Sequence, residues 1–256
     1  MAPLNGMKFE RKPANGLVVL LAVLLTAGGC GTTKKARTVQ TSGFLGDYSL
    51  LRKGGDSLPL LYYGNPDADC RSYDKVIIEP MSLWAISTES PLALLSSEDR
   101  RMLVTMGTQT LHDIAKHSGF QIVHNRGRGV MRVRAAFTEA DQANVPLKQV
   151  STLAPYVSGA AALWSVQKGQ AAFTGAAAIE LELLDSRTNE RLYAMVDKRV
   201  GKLDPRNYKR WDDVKAAVEA WREGGIRRLT ACHTSGSFVP KPRELTLEQK
   251  IDKYQP

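Results

Sequence analysis

Groups that usually announce chemistry are scarce in this sequence. There are three cysteines and four histidines in 256 residues, with no CxxC pair, which argues against a zinc centre or a redox dithiol. His112 and His117 lie five residues apart, on different faces of a helix at 3.6 residues per turn. No P-loop, dinucleotide fingerprint, HExxH or GxSxG string occurs. Long apolar runs are missing beyond one near the N-terminus, which argues against a polytopic membrane protein. What remains is ordinary globular material, 43% hydrophobic and 24% charged, enough for one or two domains and unlike a disordered chain. Acidic side chains are the minority, 26 against 35 basic, for a formal net charge of +9. A surface of that sign favours anionic partners.

The N-terminus reads as an address. Lys8, Arg11 and Lys12 form a basic region, and the apolar core from Leu17 to Leu25 is short for a membrane span. Ala27-Gly28-Gly29-Cys30 follows at once and resembles the lipobox of bacterial lipoproteins, although Ala27 stands where Leu is usual. Cleavage is expected between Gly29 and Cys30, with a covalent lipid on Cys30 as the sole prosthetic group. Several acyl chains on one residue hold a protein to a membrane far more firmly than one. Residue 31 is Gly and not Asp, which by resemblance to enterobacterial sorting sends the protein to the outer membrane, on its periplasmic face.

In that oxidising compartment Cys70 and Cys232 are free to pair. They are 162 positions apart, so a bridge would stabilise by about 4 to 5 kcal/mol in the chain-entropy model. Two separate buried thiols remain the alternative.

Residues 31–42 have no apolar periodicity and read as a flexible tether, with order expected from Gly43. Phe44, Leu45, Tyr48, Leu50 and Leu51 form a short apolar segment that would clamp onto the domain. A strand is expected at 75–79, then a helix over 97–118 capped by Ser96, with Met102, Leu103, Met106, Leu111 and Ile114 on its core face. A strand near 131–138 alternates Met131, Val133, Ala135 and Phe137 with Arg132 and Arg134, placing both arginines in water. A hairpin follows, in which Ile179, Leu181 and Leu183 alternate with Glu180 and Glu182, and Leu192, Ala194 and Val196 return. A last helix begins after Trp211 with Asp212 as its cap.

This order predicts a two-layer α+β domain over 43–232, an antiparallel-rich sheet with both helices on one face. An Ala/Gly-rich insertion at about 141–175 reads either as a helical turn on the core or as a flap anchored by Trp164 and Phe173. Residues 233–256 read as an exposed tail.

Few residues suggest a site. Glu180 and Glu182 share a strand face but read as solvated, and Asp185 reads as a turn residue. Arg126, Arg128, Arg132 and Arg134 are the best candidate patch for an anionic partner, with Arg222, Arg227 and Arg228 beside Trp221 as a second group. An exported protein rarely meets nucleic acid, so lipid phosphates or an acidic protein are the expected contacts.

Four strings carry a family resemblance: Ser42-Gly43-Phe44-Leu45-Gly46-Asp47-Tyr48-Ser49-Leu50-Leu51, then Tyr73 to Pro80, then Ala178-Ile179-Glu180 with Leu183 to Ser186, and Trp211-Asp212-Asp213-Val214. Together they resemble a family of bacterial lipoproteins, the domain of unknown function numbered 3313, over about Gly43 to Cys232. The family's Thr-Gly-Glu turn is here Thr188-Asn189-Glu190, and Asn tolerates the same left-handed conformation. The resemblance implies a lipid-anchored envelope protein without an established activity. The expected function is a non-enzymatic, outer-membrane-anchored accessory or structural binding protein with an envelope protein partner, its oligomeric state left open. The alternative is a lipid- or small-ligand-binding lipoprotein with the Ala/Gly-rich segment as a lid.

Overall fold

The computed structural model describes residues 33–142, 175–202 and 209–239. Its strands are β1 (Thr33–Lys35), β2 (Arg52–Lys53), β3 (Leu61–Gly64), β4 (Lys75–Ile78), β5 (Ser82–Leu83), β6 (Gln121–Ile122), β7 (Val130–Asp141), β8 (Ala176–Asp185) and β9 (Arg191–Gly201). Two helices, α1 (Ser97–His117) and α2 (Asp212–Ser235), accompany them. One nine-stranded sheet runs β2-β3-β9-β8-β7-β4-β6, with β1 on β9 and β5 on β7. The pairs from β3 to β7 are antiparallel, whereas β4 joins β7 and β6 in parallel. Parallel neighbours need a long crossover, and between β4 and β6 that crossover is α1. The fold is α+β, as the periodicities predict.

Both helices pack on the same face of the sheet. On α1 the buried residues Leu103, Gly107, Leu111 and Ala115 recur every four positions, and on α2 Val214, Ala217 and Val218 do the same work. They meet Met131, Val133, Phe137, Ile179, Leu183, Tyr193 and Met195 from the three long strands. Ser96 caps α1, its hydroxyl accepting from the Asp99 amide at 3.1 Å. Asp99 in turn accepts from the Trp211 indole at 3.0 Å and the Arg210 guanidinium at 2.8 Å, which fixes the start of α2 beside the start of α1. Asp212 is the first residue of α2 and not its cap; Trp211 holds the cap position, and its side chain accepts from none of the helix's own amides.

The opposite face is not left to water, contrary to what the alternation suggests, because the clamp expected of the Phe44–Leu51 segment forms on it. It is covered by the chain's own N-terminal segment, in which Phe44 and Leu45 are buried against Ala136, Ala194 and Val196, with Val39, Tyr48 and Leu51 packed around them. Leu192, Ala194 and Val196 are all buried, but Ala194 and Val196 lie under this strap while Tyr193 and Met195 point to the helices. The stretch expected to be a tether is structured from Thr33, because Thr33, Lys34 and Lys35 pair with Gly201, Val200 and Arg199. Order also continues past α2, where Gly236 takes the left-handed conformation and Phe238 is buried, so the described domain ends no earlier than Val239. The 141–175 insertion lies, apart from its ends, outside the described residues, as do the signal segment, Gly29, Cys30 and the rest of the C-terminal tail.

Candidate functional site

Two constellations stand out, one on each face of the sheet. Under the strap, Glu180 and Glu182 are buried, contrary to the solvated face expected of them. A buried carboxylate must be paired or hydrogen-bonded, and both are. Glu180 accepts from the Ser42 amide at 2.7 Å and the Tyr48 hydroxyl at 2.5 Å. Glu182 accepts from Arg134, its direct cross-strand neighbour, at 2.5 Å and from Arg191 at 3.1 Å. Arg191 then donates to the backbone carbonyls of Asp47 and Leu45, 2.7 Å each. Burial, and the bond to Glu180, push the Tyr48 hydroxyl above its ordinary range. These carboxylates hold the strap.

The four-arginine patch does not form as one surface. Arg126 and Arg128 are exposed in the turn before β7. Arg132 is bound to Glu79 at 2.6 Å and to Asn189 at 2.9 Å, with its side chain only 18% exposed, and Arg134 serves Glu182. The alternation places these arginines opposite the helices correctly, but that side is not water. In the second group Arg222 pairs with Glu219 one turn away, Arg227 approaches Glu223 at 3.6 Å, and Arg228 lies over the Tyr193 ring at 5.3 Å. Asn189 does adopt the left-handed conformation, at φ 59°, in a turn where Asp185 accepts from the amides of Arg187 and Thr188.

Cys70, in a short 3-10 turn at Cys70–Ser72, forms a disulfide with Cys232 in the last turns of α2, their Cα atoms 5.7 Å apart and both residues fully buried.

The second constellation is a cavity of about 240 Å³ between the sheet and the helices. Its walls are Ile78, Leu111, Met131, Leu181, Met195 and other apolar side chains, and its exposed lining residues are Asp56, Ser57 and Arg227. Gly224 and Gly225 of α2 border this space; a Cβ at Gly224 would meet nothing nearer than Arg227 at 3.9 Å, whereas one at Gly225 would lie 2.9 Å from Ile114 of α1. Two side chains of β9, Asp197 and Tyr193, give it polarity. Asp197 accepts from the Trp221 indole at 2.7 Å and the Leu60 amide at 3.1 Å, yet burial holds its carboxyl above the usual range. Burial likewise pushes the Tyr193 phenol up to about 12. Among the described residues the Tyr193 hydroxyl has no hydrogen-bond partner, and Arg228 makes no ion pair. Of the residues that line the cavity, the sequence points to Arg227 and Arg228 as part of a basic group and to Cys232 as a disulfide partner; the signal for the rest is Asp197, a charge at a core-facing position of a strand.

Among the described residues no cluster of three histidine, cysteine or carboxylate groups could hold a metal ion, and no helix is long and apolar enough to cross a membrane.

Residues 40–224 match the family described as "Protein of unknown function (DUF3313)". No curated protein matches the chain. Among solved structures, the PelC dodecamer from Paraburkholderia phytofirmans is similar at 12% identity and a TM-score of 0.35, covering 64% of this chain and 94% of that one. A variant of the same dodecamer in a second crystal form gives the same score and identity, covering 93% of that chain. At this score no property is carried over.

Proposed function

This chain belongs to the DUF3313 family, and from that premise we propose that it is a lipoprotein of the bacterial envelope, anchored through Cys30 to the periplasmic face of the outer membrane and acting by binding rather than catalysis. The observation that carries the reading is the lipobox-like Ala27-Gly28-Gly29-Cys30 directly after the apolar run. The Cys70–Cys232 disulfide suits an exported protein, since such bridges persist in oxidising compartments. Engagement of Glu180 and Glu182 with the strap supports a non-enzymatic role, because the nearest approach to an acid/base pair has a structural use.

Pairing of Thr33 with Gly201 sharpens the reading. Three residues from Cys30 span at most about 10 Å, so an acylated Cys30 keeps this edge of the domain against the bilayer. Lys34 and Arg37 are exposed there. They would meet lipid phosphates, with about 1 kcal/mol for each cation near an anionic surface. The cavity favours a second reading, in which the binding partner is a lipid or other small ligand.

Intact-mass analysis of protein purified from membranes tests the anchor. An acylated N-terminal Cys30, with the Cys30→Ser chain left unprocessed, is the expected result. An unacylated chain that retains residues 1–29 overturns it.

A further inference from the structure

We propose that the cavity between sheet and helices binds a single-chain amphiphile with an anionic oxygen head, its chain along the apolar walls and its head on the Arg228 guanidinium and the Tyr193 hydroxyl. The proposal rests on the second reading above and names its ligand.

Size is the first argument. A dry apolar cavity of roughly 150 Å³ holds benzene, and this one, at about 240 Å³, has room for a longer apolar chain. It is bordered by the mid-helical Gly224, where a Cβ would meet nothing nearer than Arg227 at 3.9 Å, although glycine there costs the helix about 1 kcal/mol relative to alanine. It also has an opening, beside Asp56, Ser57 and Arg227, through which a chain could enter.

The second argument is polar and independent of volume. A buried hydroxyl without a partner costs about 1 to 3 kcal/mol, and Tyr193, only 3% exposed, carries one. Arg228 lies over that same ring, half-buried and without an ion pair among the described residues. One donor with no acceptor and one cation with no anion, both lining the same apolar space, are complementary to a carboxylate or phosphate. Asp197 does not fill that role, because its two oxygens already accept from Trp221 and Leu60, and its charge faces Arg199 and Lys35. The remaining charged lining residues, Asp56 and Arg227, sit at the exposed rim.

The test uses membranes carrying the full chain, incubated with three photo-crosslinking probes: dodecanoate, dodecyl phosphate and dodecyltrimethylammonium, each with a diazirine at the chain end. Labelled peptides are mapped after irradiation. Labelling of 176–201 and 212–235 by an anionic probe, at least tenfold above the cationic one, is expected, and the better of the two anionic probes identifies the head. Arg228→Gln and Tyr193→Phe should each lower it at least fivefold while the melting temperature holds or rises. Cavity labelling indifferent to both variants, or equal with the cationic probe, overturns the head assignment and leaves the ligand-binding reading standing. Absence of label from these peptides with every probe overturns both.

Discussion

The Tyr48 hydroxyl donates to Glu180 Oε2 at 2.5 Å across 132 residues of sequence, and the hydroxyl oxygen itself accepts from the Gly43 and Leu45 amides. One atom thus closes the strap upon itself and fastens it to β8. Removing it leaves two strap amides and a buried carboxylate short of partners. Tyr48→Phe should therefore cost about 1 to 3 kcal/mol, read as a lower urea midpoint with an unchanged slope, together with faster proteolysis between residues 43 and 55. A variant as stable and as resistant as the parent would show the strap to be held by its apolar contacts alone.

The disulfide is expected to carry a larger share of stability. Cys70 and Cys232 close a loop with a sequence separation of 162, for which the chain-entropy model gives about 4 to 5 kcal/mol. Thermal unfolding of Cys232→Ser and of the reduced parent, each compared with the oxidised parent, checks this. Equal melting of oxidised and reduced protein would refute it.

Two helical glycines should respond in opposite directions to alanine. A Cβ at Gly107 would lie 2.6 Å from Met81 Cγ and 3.0 Å from Phe137 Cε2, and overpacking of about 1 to 3 kcal/mol outweighs the helix-propensity gain of about 1 kcal/mol. At Gly224 the nearest atom is the tip of Arg227, 3.9 Å away. There only the gain remains, so Gly107→Ala lowers and Gly224→Ala raises the midpoint of denaturant unfolding.

Alkaline stability isolates Tyr193. Its phenol is raised from an ordinary 10.0 to about 12 by burial, so the unfolded state loses the proton first. This group's stabilising contribution is complete below pH 10 and is lost as the pH climbs through 12. At 1.36 kcal/mol per pKa unit the whole effect is on the order of 2 to 3 kcal/mol. A parent-minus-variant stability curve against Tyr193→Phe should fall between pH 10 and 12, and a flat difference would contradict it.

The elements were legible in the sequence because they are written in local periods. Met131, Val133 and Phe137 on β7, and Leu103 and Leu111 on α1, repeat at two and four residues and face where those periods place them. What covers a face is not local. The alternation of Glu180 and Glu182 with apolar neighbours looks the same whether water or a strap lies above, and the strap's Ser42 and Tyr48 are more than 130 positions distant. Arg132 and Arg134 likewise lie on the face their period gives them, but bonded to Glu79 and Glu182 instead of to water. Phe44, Leu45 and Tyr48 did carry a trace of the answer, as an apolar segment too short to fold alone. The cavity was still less visible, because Tyr193 and Arg228 meet across a strand–helix contact that neither period records.

The strap also imposes a timetable on folding. Its residues 36–51 leave the ribosome early, but the surface they lie on is made of β7, β8 and β9, which follow much later in the chain. Contacts of such sequence separation form late, after the cost of closing a long loop has been met. Until Gly201 has emerged, the beginning of the chain has nothing to rest upon, and Glu180, Glu182 and their apolar neighbours stand open to whatever escort receives them.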